Sequence, residues 1–174
     1  MKIIAIAVTS ADGRFTKNSE KNIYHWSSPE DFAHFSDIKS QYNLIVMGSG
    51  TFDAVHPEPE KERLRIIMTN NPQKYKDFAI PEQMEFTAEA PNTLVSRLEK
   101  KGYTQLLFVG GGKLLVSFLQ TGLIDQLYVT IEPQLFGNGD MLQAEKSLDI
   151  QLQLLSVQKL NKRGTLLLQY EVIK

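Results

Sequence analysis

The sequence contains no cysteine and one tryptophan, and it has almost no net charge. Without cysteine the chain has no disulfide, no thiolate nucleophile and no cysteine-ligated zinc or iron–sulfur centre. A formal charge of −1 offers no positive field to DNA or RNA, so we expect no nucleic-acid partner. The apolar run Ile3–Val8 is too short for a membrane span and lacks a cleavage site, so we expect a cytoplasmic protein that does not bind membranes.

Metal-binding patterns are also missing. The three histidines are His25, His34 and His56, and no two of them have the spacing of metal ligands. What the chain does have is an ordinary globular composition, with 42% apolar and 22% charged residues. Its 174 residues predict one domain over 1–174, because a domain of ordinary size takes roughly 150 residues.

Four short apolar runs without alternation predict strands that are buried on both faces, as in a parallel sheet covered by helices: Ile3–Val8, Leu44–Met47, Leu64–Met68 and Leu106–Val109. The last third of the chain differs, because its segments alternate in part and are separated by turn residues. We predict a strand over Gln126–Phe136 that is interrupted or ended near Pro133, and a hairpin of Ile150–Gln158 with Thr165–Val172. The fold class is therefore α/β, with a mixed, mostly parallel sheet and antiparallel C-terminal strands.

Helices are predicted between these strands. Ser28 is a good N-cap, Pro29 suits the first helical position, and Asp31 completes a capping box. A second helix is predicted from about Asn92 to Lys100, and a third after Gly112. The charged, proline-containing stretch His56–Arg63 is predicted to be an exposed loop.

Glycine clusters follow two of the buried strands. Gly110–Gly112 opens a helix, and three glycines there favour the close approach of a phosphate to backbone N–H groups, although a tight turn is the alternative. Gly48–Thr51 and Thr69–Asn71 follow two other strands. Neither glycine cluster has the Walker or the dinucleotide fingerprint spacing. Because parallel strands end at one edge of a sheet, the three polar strand ends together favour a dinucleotide site.

Two acids are candidates for chemistry. Asp12 lies in an Asp-Gly turn after the first strand, where an active-site loop and a plain turn fit equally well. Asp31 is either a helix-capping carboxylate or a site residue. The residues alone leave both alternatives open.

Several motifs resemble a family of reductases. Ser10–Arg14 is similar to its S-x-D-G-R motif after the first strand, and Trp26–Asp31 is similar to the start of its substrate helix. Val109–Leu114, Gly122–Asp125 and Pro133–Gly139 match the order and spacing of its C-terminal signature. Over nearly its whole length the chain resembles the dihydrofolate reductase-like superfamily, and within it the C-terminal reductase domain of the bifunctional riboflavin-biosynthesis protein.

This resemblance implies a three-layer domain, NADPH as cofactor, a small heterocyclic substrate and a homodimer. It implies that Asp31 is the catalytic acid, and that the substrate is also contacted by Asp12, Trp26, Phe35, Lys39 and Thr130. Lys39 would meet a substrate phosphate, and Thr130 would support the acid. The implied coenzyme site consists of strand ends and glycine loops: Ala7, Val8, Gly48, Ser49, Gly50, Thr51, Thr69, Asn70, Val109, Gly110, Gly111, Gly112, Lys113 and Leu114.

The resemblance further implies direct hydride transfer to 5-amino-6-(5-phosphoribosylamino)uracil or a related ring. Asp31 is expected to bind an amidine-like N–C–N edge, with a pKa raised by the apolar side chains of Trp26 and Phe35. The sequence departs from the family pattern at Val109, where an acid is usual, and at Ser49, where dihydrofolate reductase usually has arginine. Pterin reduction and a non-catalytic, nucleotide-binding dimeric module therefore stay open as alternatives.

Overall fold

A computed structural model describes residues 1–144 and 147–174. Its helices are α1 (Pro29–Ser40), α2 (Ser49–Val55), α3 (Pro91–Lys100) and α4 (Gly112–Gln120), and 3₁₀ turns cover Ile23–His25 and Pro72–Phe78. The strands are β1 (Lys2–Ser10), β2 (Leu44–Gly48), β3 (Leu64–Met68), β4 (Met84–Thr87), β5 (Gln105–Val109), β6 (Gln126–Glu132), β7 (Leu152–Lys159) and β8 (Leu166–Val172).

The eight strands form one sheet in the order β4-β3-β2-β5-β1-β6-β8-β7. The six strands from β4 to β6 pair in parallel, whereas β8 is antiparallel to both of its neighbours. The predicted mixed sheet is confirmed, including the C-terminal hairpin. Within the two described stretches of chain, none of the helices has the length and apolar content needed to cross a bilayer.

Both faces of the sheet are covered, which gives three layers. Alternate residues of β1 enter different cores: Ile3 and Ala5 pack on the α3 and α4 side, whereas Ile4 and Ile6 pack on the side of α1 and α2. This double coverage explains why the central strands have continuous apolar sequences rather than alternating ones.

Some local details differ from the sequence prediction. Ser49–Val55, which follows β2, forms a short helix whose N-cap is Gly48. The edge strand β4 and the 3₁₀ turn at Pro72–Phe78 were not predicted, because four residues at a sheet edge and a tight turn carry little periodicity. The exposed loop predicted over His56–Arg63 is confirmed, since five of its eight residues are exposed, and its Glu60 pairs with Arg63 and with Arg65 of β3.

Candidate active site

The glycine loops lie side by side at the carboxyl edge of the sheet. β2 and β5 are parallel neighbours, so Gly48 and Val109 end at the same edge. A Cβ built on Gly48 would lie 3.6 Å from Leu114 Cδ2, and one built on Gly110 would lie 3.7 Å from Thr51 Oγ1. The segments that the sequence predicted to form one site are thus brought together.

The neighbouring strands complete this edge. β3 pairs with β2, which places Thr69 and Asn70 beside the loop after β2. β1 pairs with β5 on the other side, so its last residues, including Ala7 and Val8, adjoin the loop after β5.

Two helices begin at this edge without side-chain caps. The N-caps are Gly48 for α2 and Gly111 for α4, so the first N–H groups of each helix have no side-chain acceptor. A Cβ built on Gly50 or Gly111 would meet no atom within 4 Å. The open backbone and unpaired N–H groups have the chemistry that phosphate oxygens require.

Gly112 has a different reason to be glycine. A Cβ at this position would lie 2.6 Å from the backbone oxygen of Met141, far inside normal contact distance. The close approach comes from the protein's own loop after β6. Gly112 is therefore explained by packing within the chain, whereas Gly111 faces open space and Gly110 is within ordinary contact distance of Phe108 and Thr51.

Asp31 lies in the first turn of α1 and is the one residue of that helix that is fully buried, with 4% of its surface exposed. Ser28 Oγ accepts the Asp31 N–H, so the predicted N-cap is confirmed. The reciprocal half of the predicted capping box is wrong. Asp31 Oδ2 accepts a hydrogen bond from Ser27 Oγ at 2.5 Å, and the Ser28 N–H is donated to Glu132 Oε1 at 2.7 Å.

Three buried polar atoms near Asp31 have no hydrogen-bond partner among the described residues: Trp26 Nε1, His34 Nε2 and Thr130 Oγ1. Trp26 is 6% exposed and Thr130 is fully buried. Unpaired buried polar groups are costly, so such a concentration points to a polar ligand that would satisfy them.

Burial raises the pKa of Asp31, and the negative charge of Glu132 raises it further. The nearby hydroxyl groups of Ser27 and Thr130, and the imidazole of His34, act in the opposite direction. Burial also lowers the pKa of His34, although Asp31 and Asp37 oppose this. The acid is therefore held closer to its neutral form than an exposed aspartate.

The order of the strands gives the distance between the Asp31 side of the edge and the glycine loop after β5. Thr130 on β6 pairs with Val8 on β1, and Val109 on β5 pairs with Ile6 on the same strand. β1 alone separates β5 from β6, so the two sides of the edge are roughly 10 Å apart. That gap is wide enough for stacked or adjacent heterocyclic rings.

Glu132 was missed by the sequence analysis. It is the last residue of β6, 2% exposed, and its Oε2 accepts a hydrogen bond from Thr165 Oγ1 at 2.8 Å. A single acid directly before Pro133 was the available signal, but it does not show which segments the side chain contacts.

Asp12 anchors a loop. Its carboxylate accepts hydrogen bonds from Ser10 Oγ and from the N–H groups of Phe136 and Gly137, at 2.6, 3.0 and 2.8 Å. The hydrogen bond from Ser10 is the main cause that holds the pKa of Asp12 well below its usual range, and the Phe136 N–H adds to it. Its predicted contact with a ligand stays a prediction.

The two remaining predicted substrate contacts, Phe35 and Lys39, lie in different places. Phe35, one turn after Asp31, packs against the core on the α1 side of the sheet. Lys39 lies in the last turn of α1, two turns from Asp31, with its Nζ 3.5 Å from Glu60 Oε1. It is not brought to the acid, and its role as a phosphate ligand stays a prediction.

The opposite, amino-terminal edge of the sheet has an open polar cleft of about 500 Å³. Its lining mixes both signs of charge, with Lys61, Arg63 and Lys101 beside Glu62 and Glu85. None of its lining residues has an unpaired buried atom. In the described part of the chain, no group of three His, Asp or Glu side chains could hold a metal ion.

Known proteins share this architecture. A pyrimidine reductase-like protein from Corynebacterium diphtheriae superposes with a TM-score of 0.83 at 15% identity, covering 99% of this chain and 92% of that one. A dihydrofolate reductase from Enterococcus faecalis, solved with NADP(H) and RAB-propyl, has a TM-score of 0.69 at 21% identity, covering 99% and 97%. The uncharacterized protein YwjB of Bacillus subtilis (strain 168) is 23% identical over 160 residues, 88% of either chain.

The decisive finding comes from sequence and agrees with these folds. The family model of the RibD C-terminal domain, a reductase domain, matches residues 1–166. That range includes β1 to β6, both glycine loops and the buried acid with its neighbours. The chain belongs to the RibD C-terminal domain family.

Proposed function

We propose that the protein is a reductase that uses NADPH to reduce a pyrimidine-type substrate of the 5-amino-6-(5-phosphoribosylamino)uracil class. One observation carries this proposal. A buried acid and the unpaired Trp26 Nε1 and Thr130 Oγ1 lie across β1 from the glycine loop after β5, and the glycine loop after β2 lies next to that loop. Membership of a reductase family supports the same conclusion.

The carboxyl edge fits the coenzyme. The open backbone at Gly50 and Gly111 and the uncapped start of α4 would hold its phosphates, with Thr51 and Lys113 beside them. When bound, the coenzyme supplies a hydride. Because Ser49 offers no positive charge for a 2′-phosphate, NADH is the necessary comparison in any binding experiment.

The protein's own groups position the substrate and supply a proton. Reduction of a C=N bond would add to carbon the hydride that the coenzyme supplies, and it would add a proton to nitrogen. Asp31, held toward its neutral form by burial, would donate that proton and regain one from water. The walls around Trp26 and Phe35 would exclude water from the reacting atoms.

The test combines binding and turnover. Trp26 is the single tryptophan, so quenching of its fluorescence would report NADPH binding. Loss of NADPH absorbance would report turnover with the phosphoribosylaminouracil, and dihydrofolate is the competing substrate. We expect turnover with the aminouracil, and we expect Asp31→Asn to lower kcat/KM far more than NADPH affinity. Quenching without turnover of either substrate would favour the non-catalytic module instead.

We further propose that the protein is a homodimer that associates through the C-terminal hairpin. β7 is exposed along its whole length, and Leu152, Leu154, Leu155 and Val157 are 42–55% exposed. Leu154 and Val157 pair with Tyr170 and Leu168, so an apolar stripe continues onto β8. Apolar sheet surface of this kind is typical of protein–protein contacts.

A further inference from the structure

Two buried carboxylates share one hydroxyl group at the carboxyl edge of the sheet. Ser27 Oγ lies 2.5 Å from Asp31 Oδ2 and 3.4 Å from Glu132 Oε1. Asp31 and Glu132 are 4% and 2% exposed. A serine hydroxyl has one proton, so it donates to one carboxylate at a time. Two ionised carboxylates in this position would repel each other with little water to screen the charge.

The two acids differ in their other partners. Glu132 accepts an N–H from Ser28 at 2.7 Å and a hydroxyl from Thr165 at 2.8 Å, two donors that stabilise a negative charge. Asp31 accepts the Ser27 hydroxyl and no backbone N–H in the described chain, and the Thr130 hydroxyl lies near it without a hydrogen bond.

Among the residues that the structure describes, no cation compensates the pair. Within residues 1–144 and 147–174, neither carboxylate has a lysine or arginine nitrogen within 4 Å. The titratable groups that face Asp31 are Glu132 on β6 and His34 on its own helix. His34 is half-buried, and burial favours its neutral form.

We propose that Glu132 keeps the negative charge and Asp31 keeps the proton at neutral pH, so that Asp31 recognises the N–H/C=O edge of an oxopyrimidine rather than an amidine edge. The Asp31 O–H then donates to Ser27 Oγ or to the ligand, and the Ser27 hydroxyl turns toward Glu132. A neutral carboxylic acid presents one donor and one acceptor, which matches a ring lactam. A carboxylate presents acceptors only, and it prefers the two N–H donors of a 2-aminopyrimidine or pterin.

Glu132 is thus a positioning residue, because it acts on the ligand through Asp31. The proton assignment stands on the geometry of the free protein. The statement about the ligand edge rests on the proposed function, and the two parts have separate tests.

The proton assignment is tested by carbon-13 NMR of the aspartate carboxyl groups during a pH titration, with Asp31→Asn to identify the Asp31 signal. We expect Asp31 to titrate well above the ordinary aspartate range. Glu132→Gln, which keeps the shape and an acceptor for Ser28, should lower the Asp31 midpoint by about one pH unit as the like charge is lost. Glu30→Gln is the matched control: it removes an exposed acid of the same turn, and it should leave the midpoint unchanged.

An ordinary midpoint for Asp31 in the wild-type protein would overturn the assignment, and so would an unchanged midpoint in Glu132→Gln. The wild-type titration decides the question even if the variant does not fold. Neither measurement needs coenzyme or substrate, so failure of the proposed function leaves this result intact.

The ligand edge is tested by calorimetry with 6-aminouracil and 2,4-diaminopyrimidine, with and without NADPH. We expect about tenfold tighter binding of 6-aminouracil. Asp31→Asn should keep that affinity within about threefold, because an amide also presents one donor and one acceptor. Glu132→Gln should shift the preference toward the diaminopyrimidine. Tighter binding of 2,4-diaminopyrimidine to the wild-type protein, or binding of neither probe, would overturn this part.

Discussion

The burial of the Asp31 carboxyl group makes the free energy of unfolding depend on pH. It is the fully buried residue of α1, and its burial raises its pKa above the value of the unfolded chain. The folded protein therefore binds this proton more tightly than the unfolded one. The free energy of unfolding falls as pH rises from the unfolded pKa toward the folded pKa, and the full penalty persists above it.

Replacing Asp31 with a residue that does not ionise should remove this loss of stability. We expect Asp31→Asn to raise Tm, with a gain that is small near pH 4 and grows as pH rises to 8, because asparagine does not ionise. Each unit of pKa difference corresponds to about 1.4 kcal/mol. Thermal unfolding at a series of pH values measures the effect, with Asp37→Asn as an exposed control on the same helix. A gain that is equal at every pH would contradict the explanation.

The ionisation of Asp12 changes stability with pH in the opposite direction. Its pKa is lowered in the fold, first by Ser10 and then by backbone N–H groups, so its stabilising effect is present above its unfolded pKa and is lost as pH falls through that range. It joins the turn after β1 to the loop after β6 through Phe136 and Gly137.

The loop after β6 should open more often when the hydrogen bonds from its N–H groups to Asp12 are weakened. Asp12→Asn cannot accept as many hydrogen bonds, so we expect the Phe136 and Gly137 amides to exchange with deuterium at least about tenfold faster. Asp140→Asn, in the same loop, is the control, since its carboxylate makes none of these contacts. Unchanged exchange in Asp12→Asn would show that the rest of the loop suffices to hold it.

At the scale of elements, the glycines at the start of α4 allow an effect on folding to be distinguished from an effect on ligand binding. Gly112 is closely approached by the Met141 oxygen, whereas Gly111 faces open space and has a φ of −83° that any residue adopts. The same substitution at adjacent positions therefore tests two different effects.

Gly112→Ala should destabilise the protein by about 1–3 kcal/mol, because the added Cβ forces the loop at Met141 to move. Gly111→Ala should leave Tm close to wild type and weaken NADPH binding, because the methyl group would occupy space that we assign to the coenzyme. Thermal unfolding and fluorescence titration of both variants provide the comparison. Equal NADPH affinity in Gly111→Ala and the wild type would argue against a coenzyme phosphate there.

Much of this organisation is encoded locally. Continuous apolar runs predicted the four central strands, and Ser28 with Pro29 predicted the start of α1. Contacts between distant segments were not predictable in the same way. The hydrogen bond from Ser28 to Glu132 joins residues 104 positions apart, and the contact of Gly112 with Met141 depends on the path of a loop. Local patterns do not record such paths.

At the scale of the whole molecule, the C-terminal hairpin exposes a continuous apolar surface. We expect the wild-type protein to sediment as a dimer and Leu154→Lys/Val157→Lys to sediment as a monomer, because buried lysines are costly at such an interface. Gln153→Lys/Gln158→Lys places the same two charges on the opposite face of β7 and should leave the dimer intact. A monomeric wild-type protein at micromolar concentration in the ultracentrifuge would contradict the proposed dimer.

Glu132 also connects the acid site to the end of the chain. Its partner Thr165 follows the Asn161–Gly164 turn, whereas Ser28 lies near the beginning. During synthesis on the ribosome, the first turn of α1 emerges long before the residues that complete its surroundings. We therefore expect the surroundings of Asp31 to be completed only after Thr165 has left the exit tunnel.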